Sequence, residues 1–247
     1  MPELPEAEVA ARQLRERVVG ATVRDCWIGR EDIVREGLPS LDQYRQAKIA
    51  GVERKGKSVI LHFLCGKEPR FLVAELGMTG LLLFRSTLTK HPQHTHFILH
   101  LDGCCEPDIR YWNPRRFGRL SLLDRAGLDR YVARRFGHDP LTISHEQFLR
   151  VLRATRSRLK SLLMHQQVIA GIGNIYANEI LFRSRLHPNQ PSNSIPGKSI
   201  TRLHQVMGEV LREAIAMGGS SVRDYFAPDG TEGQYKRRHL VYAKAGE

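Results

Sequence analysis

The sequence predicts an α+β protein: an N-terminal β-sandwich opened by a helix, followed by a helical unit. Three observations carry that prediction. Leu4, Ala7, Ala11, Leu14 and Val18 recur at helical spacing ahead of Gly20. From about residue 21 to 123 the chain breaks into short apolar runs parted by Gly, Pro and charged clusters. Beyond HDPLT (138–142), apolar stripes return with helical period.

The first helix begins almost at residue 1, which fixes a normally frayed terminus to the positive end of a helix. The strand candidates are SVILHFL (58–64), RFLVAEL (70–76), GLLLF (80–84), HFILHL (96–101), DIRYW (108–112) and RLSLL (119–123). The later helices are HEQFLRVLRAT (145–155), SRLKSLLMH (157–165), NIYANEILFRSRL (174–186) and SITRLHQVMGEVLREAIAM (199–217). Domains are therefore expected at 1–134 and 145–217, with a linker at 135–144, a closing segment at 218–247 and a basic cleft between the two units. RRFG occurs at 115–118 and again at 134–137, but only the first copy sits in a hairpin, after Asn113-Pro114.

Composition narrows the function classes. The chain has 247 residues with 38 Lys and Arg against 26 Asp and Glu, a net charge of +12, which favours a polyanion such as DNA, RNA or an acidic membrane surface. No run approaches the ~18 apolar residues of a membrane span, and the opening MPELPEAEVAARQ is acidic where a secretory signal would be basic. A cytoplasmic, nucleoid-associated monomer is expected. Cys26, Cys65, Cys104 and Cys105 contain no C-x-x-C pair, so reduced cysteines and no metal within this chain are expected.

The most informative stretch is Pro2-Glu3 with Glu6 one turn on. An α-amine titrates near ~8 against ~10.4 for a lysine side chain, so a free Pro2 nitrogen is partly unprotonated at neutral pH. Such an amine attacks a sugar C1′, and the iminium formed acidifies the C2′ protons and allows the 3′ phosphate to leave. Glu3 and Glu6 are candidates for the proton transfers. The same residues also suit a plain helix start, with Pro in the first turn and carboxylates on the dipole.

MPELPEAE, GMTG (77–80), YWNPRRFG (111–118), GIGNIYANE (171–179) and GGSSVRDYF (218–226), in this order over nearly the whole chain, resemble the bacterial formamidopyrimidine-DNA glycosylase family. The resemblance implies removal of oxidised purines (8-oxoguanine and formamidopyrimidines) from duplex DNA and strand nicking by β(,δ)-elimination, with no cofactor for the chemistry. It implies Pro2, Glu3, Glu6 and Lys57 as catalytic residues. Met78, Arg115 and Phe117 become the wedge that fills the hole left by an extruded base. His94, Arg35, Arg156, Lys160 and Asn174 become DNA contacts, and Asn174, opening a helix after Gly171 and Gly173, either caps it or binds a phosphate. Ser220, Ser221, Val222, Arg223 and Tyr225 fall in a flexible lesion-capping loop. Taken singly, Lys57 also suits a solvated turn, Met78 and Phe117 a core, and 218–235 an ordinary loop. The alternatives are an oxidised-pyrimidine glycosylase of the sister class or a non-catalytic damaged-DNA binder.

Three departures from the family pattern stand out. The family carries a structural zinc in a four-cysteine finger after a segment like HLVYAKAGE, and the sequence stops at Glu247, so a finger removed by truncation is expected. Asn113 and His165 stand where the family usually has Asp, and each is expected to weaken a hydrogen bond that positions a loop.

Overall fold

The computed structural model describes residues 2–66, 68–87, 92–222 and 225–244. The predicted opening helix is α1 (Leu4–Val18), and its alanine-rich face lets it lie close against strands. Nine strands follow: β1 (Thr22–Ile28), β2 (Val34–Glu36), β3 (Lys48–Lys55), β4 (Ser58–Cys65), β5 (Glu68–Glu75), β6 (Leu81–Phe84), β7 (Thr95–Asp102), β8 (Asp108–Trp112) and β9 (Leu120–Leu123). They hydrogen-bond in the order β2-β9-β5-β4-β3-β1-β7-β8-β6. The β3–β1 junction has a single register pair, Thr22 with Lys48. The sheet therefore folds at that seam into two layers, and their inner faces share one core with Ala7, Ala11, Leu14 and Val18 of α1.

One helix escaped the sequence reading. α2 (Arg125–Arg135) lies where the strand domain was expected to run on into the linker. Its Asp124 side chain caps the Gly127 N–H, but within the helix only Gly127, Leu128 and Tyr131 are buried. That is too narrow an apolar stripe to register as periodicity. Leu128 and Tyr131 cover Ile60, Phe71, Val73 and Leu123 on the outer face of the sheet. Phe84, Leu82 and their inner-face neighbours stay with the main core, while Leu81, Leu83 and Trp112 are covered by Tyr225.

The helical unit comprises α3 (His145–Arg153), α4 (Leu159–Leu163), α5 (Asn174–Arg183) and α6 (Gly197–Ala216), the first three shorter than their apolar stripes suggested. Backbone bonds fix residues 135–144 to this unit: Gly137 N–H donates to Gln166 O and His138 N–H to Val168 O. Arg54 of β3 joins Glu8 of α1 to Asp139.

α1 spans both cores. Leu4 belongs to the helical unit's core with Ile172, Tyr176 and Leu211, and its N–H donates to Gly171 O at 2.9 Å. Gly171 has φ +110, and a Cβ there would stand 2.7 Å from the Leu4 Cβ. Leu4→Ala is expected to cost about 2–5 kcal/mol, read by denaturant unfolding. A loss below about 1 kcal/mol, the scale of an exposed site, would show that Leu4 does not tie the two cores together.

Candidate active site and nucleic-acid interface

Glu3 is the N-cap of α1, and its side chain reaches out of its own helix into the start of another. The carboxylate accepts N–H bonds from Gly173 (2.7 Å), Ile175 (2.9 Å) and Tyr176 (3.4 Å) at the N-terminus of α5. A Cβ on Gly173 would fall 2.4 Å from the Glu3 carboxyl carbon and 2.7 Å from Lys57 Nζ. A side chain there would have to displace both groups, so glycine lets acid and ammonium stand against a single Cα. Of the two roles expected for Asn174, this overturns capping alone: the cap residue is Gly173, the first-turn donors go to Glu3, and Asn174 is an exposed first helical residue.

Burial pushes the Glu3 carboxyl up to about 7, with nearby Glu6 adding to the rise while Lys57 and the α5 N–H groups oppose it. Lys57, in the β3–β4 turn, has its pKa lowered by burial against the pull of Glu3 and Glu6. Glu6 is raised, again chiefly by burial. It accepts Tyr176 OH (2.6 Å), Ser220 N–H (2.7 Å) and Glu3 N–H (2.8 Å), so its carboxylate is enclosed by three donors.

Pro2 is buried and lines a cleft of about 440 Å³ together with Met78, Thr79, Arg115, Ser220, Val222 and Tyr225. The wall opposite α5 consists of two loop tips and not of the hairpin expected after Asn113-Pro114: residues 76–80 join β5 to β6 and residues 113–119 join β8 to β9, and in neither case are the joined strands neighbours. Met78 and Phe117 are 39% and 56% exposed, high for large apolar side chains, and the Arg115 guanidinium lies 5.0 Å above the Phe117 ring. Gly77, at φ +60, meets Gly118 so closely that a Cβ would stand 2.4 Å from the Gly118 nitrogen.

Asn113 ties the two tips together, contrary to the expectation that it loosens a loop. It is fully buried, and its Oδ1 accepts Thr79 Oγ1–H (3.1 Å) and Arg116 N–H (3.0 Å). A backbone N–H can only donate, so the amide orientation is settled, and Nδ2 donates to Tyr111 OH (3.1 Å) and Gly118 O (3.3 Å). A carboxylate has no donor for the last two. His165, the other departure, is exposed.

The expected capping loop is pinned at its described ends. Gly219 (φ +83) packs on Glu6, Ser220 Oγ meets His239 Nε2 at 2.7 Å, Ser221 Oγ donates to Tyr225 O, and Tyr225 OH donates to Glu6 O. Arg223 lies outside the described residues. The remaining predicted contacts are dispersed. His94 lines a separate groove with Trp27, Arg30 and Arg116. Arg35 pairs with Glu75. Arg156 is exposed between α3 and α4, and Lys160 sits half-buried on α4.

Sequence reasoning missed Gly173 as a contact surface, Tyr176 and Ser220 as partners of Glu6, and Thr79 with Asn113 as the tie between the tips. All of them lie in motifs already singled out, yet only long-range pairing assigns their roles. Among the described residues no group of three or more His, Cys, Asp or Glu could hold a metal. Burial pushes the Cys26 thiol up to about 12, and no cysteine belongs to such a group, so the four do not fit the four-cysteine zinc site that the resemblance implies.

Two outcomes follow from this geometry. A carboxyl whose pKa rises from 4.5 to about 7 holds its proton more tightly folded than unfolded, so its stabilisation is complete below pH 4.5 and lost as pH climbs through 7. Glu3→Gln mimics the protonated acid and should gain on the parent between about pH 5 and about pH 8, by at most on the order of 3 kcal/mol. Urea unfolding at both pH values measures this, and a flat or opposite difference contradicts a proton-holding Glu3. Asn113→Asp removes two donors from a buried network and should cost about 1–3 kcal/mol. Thermal unfolding checks it, and an unchanged midpoint would rule Asn113 out as the tie.

Two family models match the chain: the formamidopyrimidine-DNA glycosylase N-terminal domain over residues 1–120 and the formamidopyrimidine-DNA glycosylase H2TH domain over residues 136–225. The formamidopyrimidine-DNA glycosylase of Thermus thermophilus is 38% identical over 251 residues, covering 100% of this chain and 88% of its own length. That of Solibacter usitatus is 37% identical over 249 residues, covering 100% and 89%. The crystal structure of the Thermus thermophilus Fpg protein superposes with a TM-score of 0.85 at 36% identity, covering 98% of this chain and 87% of that one. Lactococcus lactis Fpg in complex with abasic-site DNA superposes at 0.88 and 29% identity, covering 99% and 89%. With both its strand domain and its helical domain matched, the chain belongs to the formamidopyrimidine-DNA glycosylase family.

Proposed function

We propose that this chain is a bifunctional glycosylase and lyase that excises oxidised purines from duplex DNA through Pro2 and then nicks the strand. The observation that carries the reading is the placement of Pro2 and Glu3. Pro2 lines the cleft, and the adjoining carboxyl, poised near neutrality, is fixed by α5. Structures of Lactococcus lactis Fpg with abasic-site DNA and with N7-benzyl-Fapy-dG DNA, at 29% identity, support the substrate class.

Removal of Met1 converts the Pro2 nitrogen from an amide into a secondary amine. Its lone pair attacks C1′ of the extruded nucleotide, the bond to the base breaks, and the base leaves with the electron pair. Glu3, half protonated near pH 7, supplies a proton to the ring oxygen as the sugar opens, and the nitrogen loses its own proton to give an iminium. Loss of a C2′ proton then expels the 3′ phosphate. Lys57, with a lowered pKa beside Gly173, is placed to exchange a proton in this step. Met78 and Phe117 occupy the vacated stack while Arg115 pairs with the orphaned base.

Borohydride reduction in the presence of a duplex carrying 8-oxoguanine tests this. The processed chain should give a covalent adduct mapping to residue 2. A version with an N-terminal extension, whose Pro2 nitrogen stays an amide, should bind the duplex and give none. Tight binding by the processed chain without any adduct would sink the proposed nucleophile.

A further inference from the structure

Glu75 ends β5 in a second hollow, of about 250 Å³, that also takes in Lys57, Met78, Phe117, Tyr131 and Arg135. A carboxylate facing a polyanion is repulsive unless something offsets it. Here one oxygen, Oε1, gathers three partners: Arg35 Nη1 and Tyr131 OH donate to it, each at 2.7 Å, and Arg135 Nη2 forms an ion pair with it at 3.2 Å. The donors come from distant parts of the sequence. Arg35 lies on β2, which reaches β5 across β9, while Tyr131 and Arg135 lie on α2.

The exposures divide the roles. The Glu75 side chain is 15% exposed, against 40% for Arg35 and 38% for Arg135. The acid is thus enclosed while both guanidinium groups face solvent. Each guanidinium carries five N–H donors and gives Glu75 one nitrogen, and among the described residues neither makes another hydrogen bond or ion pair. Arg135 is further steadied over the Tyr131 ring at 5.2 Å. Glu75 itself is fixed to the wedge: its N–H donates to Arg119 O at 2.9 Å, and its carbonyl accepts Tyr111 OH at 2.6 Å, the same hydroxyl that Asn113 holds.

We propose that Glu75 is a positioning residue that gathers Arg35 and Arg135 into a two-armed clamp for a backbone phosphate of the DNA strand passing the wedge. The clamp carries one net positive charge from these three side chains, with Lys57 beside it, and a planar fork suits a phosphate's paired oxygens. The inference rests on the DNA reading of the cleft, and it adds Glu75, Tyr131 and Arg135 to that reading.

The sign of one substitution separates positioning from plain electrostatics. Glu75→Gln keeps the shape and removes a negative charge. If Glu75 were only a charge near DNA, the variant would bind more tightly. As a positioning residue its neutralisation should weaken binding several-fold and lower the slope of log affinity against log salt by about 1. The probe is a duplex with one tetrahydrofuran abasic analogue, followed by fluorescence anisotropy across a salt series. The double variant Arg35→Ala/Arg135→Ala alters exposed side chains, should lower the slope by about 1, the share of the one clamped phosphate, and should make Glu75→Gln neutral on its background. Equal or tighter binding by Glu75→Gln with an unchanged slope overturns the proposal. So does a parental slope in the double variant, which decides the matter should Glu75→Gln fail to fold. A parent chain that shows no preference for the lesion duplex fails the DNA reading itself, a result distinct from parental binding that Glu75→Gln leaves intact.

Discussion

Burying the Glu3 carboxylate strips it of solvent, and an ion so placed costs several kcal/mol unless donors replace the water. The replacements are three N–H groups at the start of α5, more than 160 residues away in the chain. A helix N-terminus is suited to the task because its first donors have no partner inside the helix and its dipole favours negative charge. The contact needs residue 173 to have no side chain, α1 to begin at residue 4, and the strand and helical units to meet at one relative position. Even with those donors, burial wins and the acid retains its proton up to about pH 7. A carboxyl fully compensated by donors would be permanently ionised; one left without them would not fold in this place.

The other constraints act by keeping that contact fixed. Leu4 anchors the first turn of α1 in the helical core while Ala7 to Val18 serve the strand core, so the helix that follows Pro2 belongs to both. Glu6 extends the arrangement through Tyr176 into α5 and through Ser220 into the segment after α6. Ser220 in turn meets His239, and the next three residues, Leu240, Val241 and Tyr242, donate their N–H groups to the buried Glu179 of α5. The segment near the end of the chain is thus coupled to residue 3 through two glutamates on α1 and α5, each satisfied by hydrogen bonds.

What the sequence disclosed follows from which interactions are local. Strands β4 to β9 were legible as short apolar runs between turn residues, and helices α1, α3, α5 and α6 because their burial leaves a period near 3.6 in the residues themselves. α2 was not, since its buried contact is confined to Gly127, Leu128 and Tyr131 and the rest is charged. Pro2 and Glu3 drew notice because an amine terminus and a carboxylate at a helix start carry chemistry wherever they fold. The partner of Glu3 was hidden: Asn174 is the residue type that normally caps, and the cap came from another element. Asn113 misled in the same way. A carboxylate-to-amide change reads as a lost bond until Tyr111 OH and Gly118 O are found waiting for donors.

A fold that buries two glutamates and encloses a third needs a way to silence their charge, and each is silenced differently. Glu3 holds a proton near neutrality; Glu6 is raised by burial and wrapped in three donors; Glu75 gives one oxygen to two arginines and a tyrosine. Repulsion is thereby removed at short range, while the net charge of +12 governs approach at long range. The arrangement also separates proton chemistry from binding. The buried acids lie enclosed beside α5, and the exposed cations lie on the loop after β8 and on α2, where their screening by salt leaves the buried carboxyl untouched. Raising the ionic strength then weakens the hold on DNA without shifting the proton at Glu3, because only the exposed charges are within reach of the counterions.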